Sequence, residues 1–344
     1  MVYVTTRNQR DTYTAQQVLQ MDRGDDGGLF VPFPMPSYSQ EVLEELWTLP
    51  FTARIAQVLN SLFGTAITQW DVDFCVGRHP ARLVPLPQKI LLAQCWHNWE
   101  GSVSYLARVL ASRLRTDSEP VVGEWTEVAV RIALLLALLG EVRGQVDISH
   151  GEKVDISFLS GEFYGPISAW YARSWGAPIG TIVCCCNENN QIWELLHRGQ
   201  LRTDGITTAT VTPMGDVAIP TALERLIYAA GGSGEVGRYL EALWQGGSYF
   251  PGEGILDQMT QGMAVSVVGK QRMEDTLRCV YACGTLLSPY DGLCHAGLLD
   301  HRTKTGSRAW ALIFSERSPK LDRETVRAAF EGHSPMPEDL EEPL

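Results

Sequence analysis

Positive charge is in short supply in this chain. Lys and Arg number 28 against 40 Asp and Glu, leaving a formal net charge of −12. That balance opposes non-specific nucleic-acid binding, in which basic side chains displace condensed counterions, and it opposes docking on an anionic membrane. Long hydrophobic runs are missing too. The most apolar stretch, residues 132–139, is too short to span a bilayer and directly follows Arg131. The first ten residues, MVYVTTRNQR, lack an apolar core followed by a small-residue cleavage site, so no export leader is expected. Glycine and proline are scattered without period, which excludes collagen-like and low-complexity readings. The eight cysteines of this large chain therefore read as reduced thiols of a cytoplasmic protein and not as a disulfide framework. Neither a G-x-S-x-G elbow nor a His-Glu-x-x-His pair occurs.

What is present suits a folded α/β protein. Hydrophobic residues make up 45% and charged residues 20% of 344 positions, enough for more than one core. Apolar residues at helical spacing predict helices in 41–63, 102–114 and 126–143, with a linker-like stretch at 116–123. Residues 29–32 and 90–93 read as short strands. From residue 153 the pattern alternates. A strand at 154–159 leads through a glycine-containing turn at 160–166 to a helix at 167–175. A strand at 181–186 is followed by a helix at 191–197, and a last strand and helix fall at 308–314 and 322–330. This rhythm predicts a mostly parallel sheet with flanking helices.

Several motifs invite sharper readings. Gly232 to Gly237 fit G-x-G-x-x-G, but the preceding residues are helical in pattern, whereas a dinucleotide loop must follow a strand; helix–loop–helix is the reading. Cys184, Cys185 and Cys186 lie on a predicted strand, where successive side chains face opposite sides, so they cannot converge on one tetrahedral metal. Cys279, Cys283, Cys294 and His295 fit no zinc spacing, and no metal site is expected. His97, between Trp96 and Trp99, reads as a packed residue.

Segments in order along the chain resemble threonine synthase, a fold-type-II enzyme of the pyridoxal-phosphate class. They are Tyr3-Val4-Thr5-Thr6-Arg7, Asp26-Gly27-Gly28-Leu29-Phe30-Val31-Pro32, Ser160 to Ile179 around the phosphate loop, Asn187-Glu188-Asn189-Asn190, Thr212-Pro213-Met214-Gly215-Asp216 with Glu224-Arg225-Leu226, and Lys304-Thr305-Gly306 with Ser315 to Lys320. The resemblance implies a tryptophan-synthase-β-like α/β fold with the small domain largely missing. It divides the chain into a threonine-synthase-like region (1–100), a small-domain remnant with helices (101–150), a large α/β domain (151–334) and a flexible tail (335–344).

The departures concern the chemistry. The family's HGPT-x-x-FKD segment carries the lysine that binds the cofactor as an imine. Aligned from His97, Ser104 stands at that position, and a hydroxyl cannot form an imine. The phosphate loop reads Gly161-Glu162-Phe163-Tyr164-Gly165, with a carboxylate and a bulky ring where the family has amide and glycine. Ser315 falls where the family sets a hydroxyl against the pyridine nitrogen. The expectation is a pseudoenzyme that holds no cofactor and binds a small metabolite or a protein partner. If the family activity is kept, the resemblance implies pyridoxal phosphate and a lyase converting phosphohomoserine to threonine, with Lys89 or Lys153 supplying the amine. A third reading is an interaction module with a partner surface near Trp96, Trp99 and Tyr105.

Overall fold

The computed structural model describes residues 1–76, 81–114, 123–148, 151–333, 337 and 340. The linker at 116–123 lies, except for Gly123, outside the described residues, and so does most of the tail; Leu340 within it is buried against the second core.

The chain opens with a three-stranded antiparallel sheet, β2-β1-β3, formed by β1 (Val2–Thr5), β2 (Tyr13–Thr14) and β3 (Phe30–Phe33). Thr14 starts α1 (Ala15–Gln20) with a capping box to Gln17. The region expected to be helical at 41–63 forms α2 (Gln40–Thr48) and α3 (Phe51–Phe63), which ends on left-handed Gly64. After α4 (Gln69–Val76), β4 (Arg82–Leu86) turns back into β5 (Ile90–Gln94). Helices α5 (Val103–Leu114) and α6 (Glu124–Gln145) follow, then the expected alternation: β6 (Val154–Leu159), α7 (Tyr164–Ser174), β7 (Ile179–Cys186), α8 (Gln191–Arg198). The short pair β8 (Leu201–Arg202) and β9 (Ser248–Tyr249) brackets α9 (Leu223–Gln245). The chain closes with α10 (Ile255–Thr260), β10 (Met263–Val267), α11 (Lys270–Tyr281), α12 (Pro289–Thr305), β11 (Ala311–Ser315) and α13 (Arg323–Phe330).

The main sheet runs β10-β7-β6-β11-β5-β4, parallel throughout except for the edge strand β4. It is therefore the mostly parallel sheet that the sequence predicts. Side-chain alternation splits the interior in two. Leu91, Ala93, Leu312, Phe314, Cys184 and Cys186 enter one core, and Ile90, Leu92, Ala311, Ile313 and Cys185 enter the other. The three consecutive cysteines thus pack on opposite faces. Helices α6 and α7 cover the first face, and α11, α12 and α13 the second. Helix α6 is buried along most of its length, which explains its nearly unbroken apolar run. Gly232 to Gly237 lie inside α9, kinked at Gly232 (φ 67°, ψ −170°), with no strand before them. Among the described residues no helix is long and apolar enough to cross a membrane.

Candidate functional site

A cavity of about 290 Å³ opens at the carboxyl ends of β6 and β11, the position at which parallel α/β sheets ordinarily receive ligands. Leu159, Val217, Met214 and Phe314 form its apolar walls, and Tyr164 and Tyr290 add rings with polar tips.

One side is a strand–turn–helix loop. Gly161 (φ 36°) brings the main chain against the Met214 carbonyl, where a Cβ would stand 2.9 Å from that oxygen. Phe163 holds the left-handed conformation (φ 69°, ψ 11°) as the N-cap of α7, and its fully buried ring keeps it there. The helix begins at Tyr164, three residues earlier than its proline suggests. Pro166 sits in the first turn, where a missing N–H costs nothing. Gly165 packs on the Phe158 ring, which a Cβ would approach to 2.5 Å. The Glu162 carboxylate accepts from the Thr221 amide at 2.9 Å. It is thus engaged with a neighbouring segment, although the residue remains exposed at the cavity wall.

The other side is built on α5, α6 and the residue after β11. Ser104, in the first turn of α5, lies at the mouth and is exposed. Opposite it, Arg131 projects from α6 and is only 3% exposed. Its guanidinium donates to Glu316 at 2.5 and 3.1 Å and to the Glu127 carboxylate, and stands 3.4 Å from the Ser104 hydroxyl. It also lies over the Tyr164 ring, 5.6 Å from its centroid. Burial works to discharge this arginine, but the two glutamates outweigh it and hold the cation firmly protonated.

At the floor, Asp291 completes the capping box of α12 by accepting from the Ser288 amide, and it accepts a hydrogen bond from the Ser315 hydroxyl at 2.9 Å. Burial raises its pKa to about 6, against the hydrogen bonds from Ser288 and Ser315. Ser315 is fully buried; besides donating to Asp291 it accepts the Trp96 indole N–H at 3.0 Å, and it is not among the cavity-lining residues. Trp96 is accordingly half-buried, whereas Trp99 is 84% exposed; Tyr105 lies under the Arg108 guanidinium. The His97 ring packs tilted against Trp96, with centroids 4.2 Å apart, and shares a hydrogen bond with Gln94.

The structure therefore gathers Ser104 and Gly161 to Gly165 around one cavity and leaves Ser315 just outside it. Lys89 and Lys153 do not join them. Lys89 is in the β4–β5 turn with its Nζ 5.9 Å from the Trp310 ring centroid, and Lys153 lines a separate cleft beside α2. The chain has five lysines, and none lines the cavity among the described residues. Cys279 and Cys283 are exposed on α11 and just after it, Cys294 is buried on α12, and no group of three or more potential metal ligands forms among the described residues. The sequence reading missed Arg131, Glu316, Asp291 and Tyr290. Only Arg131 carried a signal, a lone charge inside an apolar helix.

These residues do not fit imine-bound pyridoxal phosphate. Among the described residues the cavity offers no primary amine, and Arg131 brings a buried, doubly paired guanidinium to within 3.4 Å of Ser104. Carboxylates also outnumber unpaired cations around it, since Arg317 is held by Asp322 at 2.8 Å.

Residues 2–78 match the family model described as Threonine synthase N terminus. The mouse protein "Threonine synthase-like 1" is 28% identical over 106 residues, covering 30% of this chain and 14% of that protein. Threonine synthase of Saccharomyces cerevisiae is 24% identical over 180 residues, covering 49% of this chain and 34% of that protein. The chain thus matches about a third or less of the length of these curated relatives. Among solved structures, the pyridoxal-phosphate-bound threonine synthase from Brucella melitensis superposes with a TM-score of 0.82 at 18% identity, covering 99% of this chain and 94% of that one. The fold is that of the threonine synthases.

Proposed function

We propose, from the threonine synthase fold and the N-terminal match as premise, that this chain is a threonine synthase-like protein without pyridoxal-phosphate catalysis, which uses the cavity beneath Ser104 to bind a small metabolite and acts as a regulator or partner. The observation that carries this reading is the cavity's charge set: a guanidinium saturated by two glutamates stands beside Ser104, and no amine accompanies it. A guanidinium stays protonated and cannot serve as the amine of an imine. The apolar walls and the paired charges suit a small neutral or zwitterionic molecule, whose own two charges would meet Arg131 and Glu316 without leaving either unpaired. We place the protein in the cytoplasm because its eight cysteines are all free thiols.

The test is a visible spectrum after incubation with pyridoxal phosphate and desalting. The expected result is loss of the cofactor with the small-molecule fraction. A shifted band that stays with the protein overturns the reading.

A further inference from the structure

At the opposite end of the main sheet, where β5 and β11 begin, lies a second cleft of about 640 Å³. Its charge is the reverse of the chain's. Lys89, Arg272, Arg302 and Arg308 line it, and no carboxylate does so among the described residues. These cations come from three separate places: the β4–β5 turn, α11, and the end of α12 with the turn after it. In a chain with twelve more acids than bases, such one-signed convergence is not the average surface.

The central cation is built in. Arg302 is 8% exposed, and its guanidinium is fixed by the main-chain carbonyls of Gln88, Lys89 (3.5 Å) and Ala309 (2.6 Å). Those contacts engage its two terminal nitrogens, leave the buried Nε without a partner among the described residues, and do not neutralise charge. The carboxylate nearest in effect, Asp155, is itself taken by the Thr181 amide and the Ser307 hydroxyl. Arg272 leans on Asp300 at 3.4 Å, while Lys89, Arg302 and Arg308 have no carboxylate partner among the described residues. Two histidines register the field. Burial, then Arg272 and Arg302, press His295 down to about 4; burial, then Arg302 and Lys304 against Asp155, lower His301. A buried cation without a counter-charge is costly, and an anion in the cleft would supply one.

We propose that this cleft is a binding site for a compact polyanion of the pyrophosphate kind, distinct from the cavity beneath Ser104. Guanidinium groups donate in a planar fork that matches phosphate oxygens; Arg308 offers that fork at this concave space, Arg272 stands beside it on a long 3.4 Å pairing with Asp300, Lys89 adds a point charge, and Arg302 adds fixed positive charge. Helix α12 joins the two sites: Tyr290, Asp291 and Cys294 in its first turns face the cavity, and Arg302 near its end faces the cleft.

The probe is inorganic pyrophosphate, titrated calorimetrically into the full chain at low and at physiological salt. One saturable site is expected, weakening as salt rises. Arg308→Ala and Lys89→Ala, both at exposed positions, should each weaken binding about tenfold, the loss of one charge-assisted contact, with melting temperatures of the unliganded variants unchanged. Lys89→Arg should retain binding, and Arg143→Ala, in a separate cleft and paired with Glu44, should leave it intact. Absence of saturation in the parent, or equal binding by the Lys89→Ala/Arg308→Ala double variant, overturns the proposal.

Discussion

The two sides of the cavity beneath Ser104 differ in what holds them. The loop side, Ser160 to Gly165, is held by main-chain geometry: a left-handed residue, two glycines that admit close approach, and a helix start. The opposite side is held by charge, with Arg131 clamped between Glu127 and Glu316. Main-chain architecture of this kind sets few demands on side chains, and Glu162 and Tyr164 stand on the loop without unwinding it. Chemistry at single positions has no such latitude: Ser104 offers this cavity a hydroxyl and not an amine. A fold can therefore fix the frame of a cavity without fixing the groups that face it.

The largest effect should come from the charged side. Arg131→Met removes a buried guanidinium and strands two glutamates, and should cost about 3–5 kcal/mol in urea unfolding. A loss below about 1 kcal/mol would mean that the cluster is hydrated and not a structural clamp.

The floor offers a pH test of similar size. Asp291 carries a folded pKa raised from 3.8 to about 6 by burial. The folded state therefore keeps its proton where the unfolded chain has released one, so this group's stabilisation is complete below pH about 4 and is lost as pH rises through about 6. The loss amounts to roughly 3 kcal/mol by linkage. Asp291→Asn should flatten that part of the stability–pH curve relative to the parent; parallel curves would deny Asp291 its shifted titration.

On the loop side, Gly165→Ala drives a methyl into the Phe158 ring and should cost about 1–3 kcal/mol, with the Arg131 cluster unaffected. Glu162→Ala should be the mildest, at about 0.5–1 kcal/mol, because the Thr221 amide it releases can turn to water. If Glu162→Ala outweighed Arg131→Met, the contrast between the two sides would be reversed.

The strands at 154–159 and 181–186 and the helices that follow them were readable because each strand is a short apolar run closed by glycine or asparagine, whereas β10 and α12 were not anticipated. The start of α7 was not, because Pro166 reads as a break although the first helical turn accepts it. The edge strand β4 escaped notice because Arg82 and Pro85 interrupt its apolar pattern, which an edge position permits. In the site, Ser104 and Gly161 to Gly165 could be found through the resemblance alone. Glu316 and Asp291 could not, since their meaning depends on which distant helix faces them. Ser288-Pro289-Tyr290-Asp291 is legible as a helix start, but nothing in it says that the same aspartate will also accept a hydrogen bond from Ser315. The basic cleft was hidden for the same reason, as its cations come from residues 89, 272, 302 and 308.

The central claim is that no amine serves this cavity, and borohydride trapping tests it most directly. The full chain is mixed with an equimolar amount of pyridoxal phosphate, reduced, digested and mapped by mass spectrometry. The account predicts at most trace, scattered labelling of the five lysines. Stoichiometric phosphopyridoxyl attachment to a single lysine would contradict it.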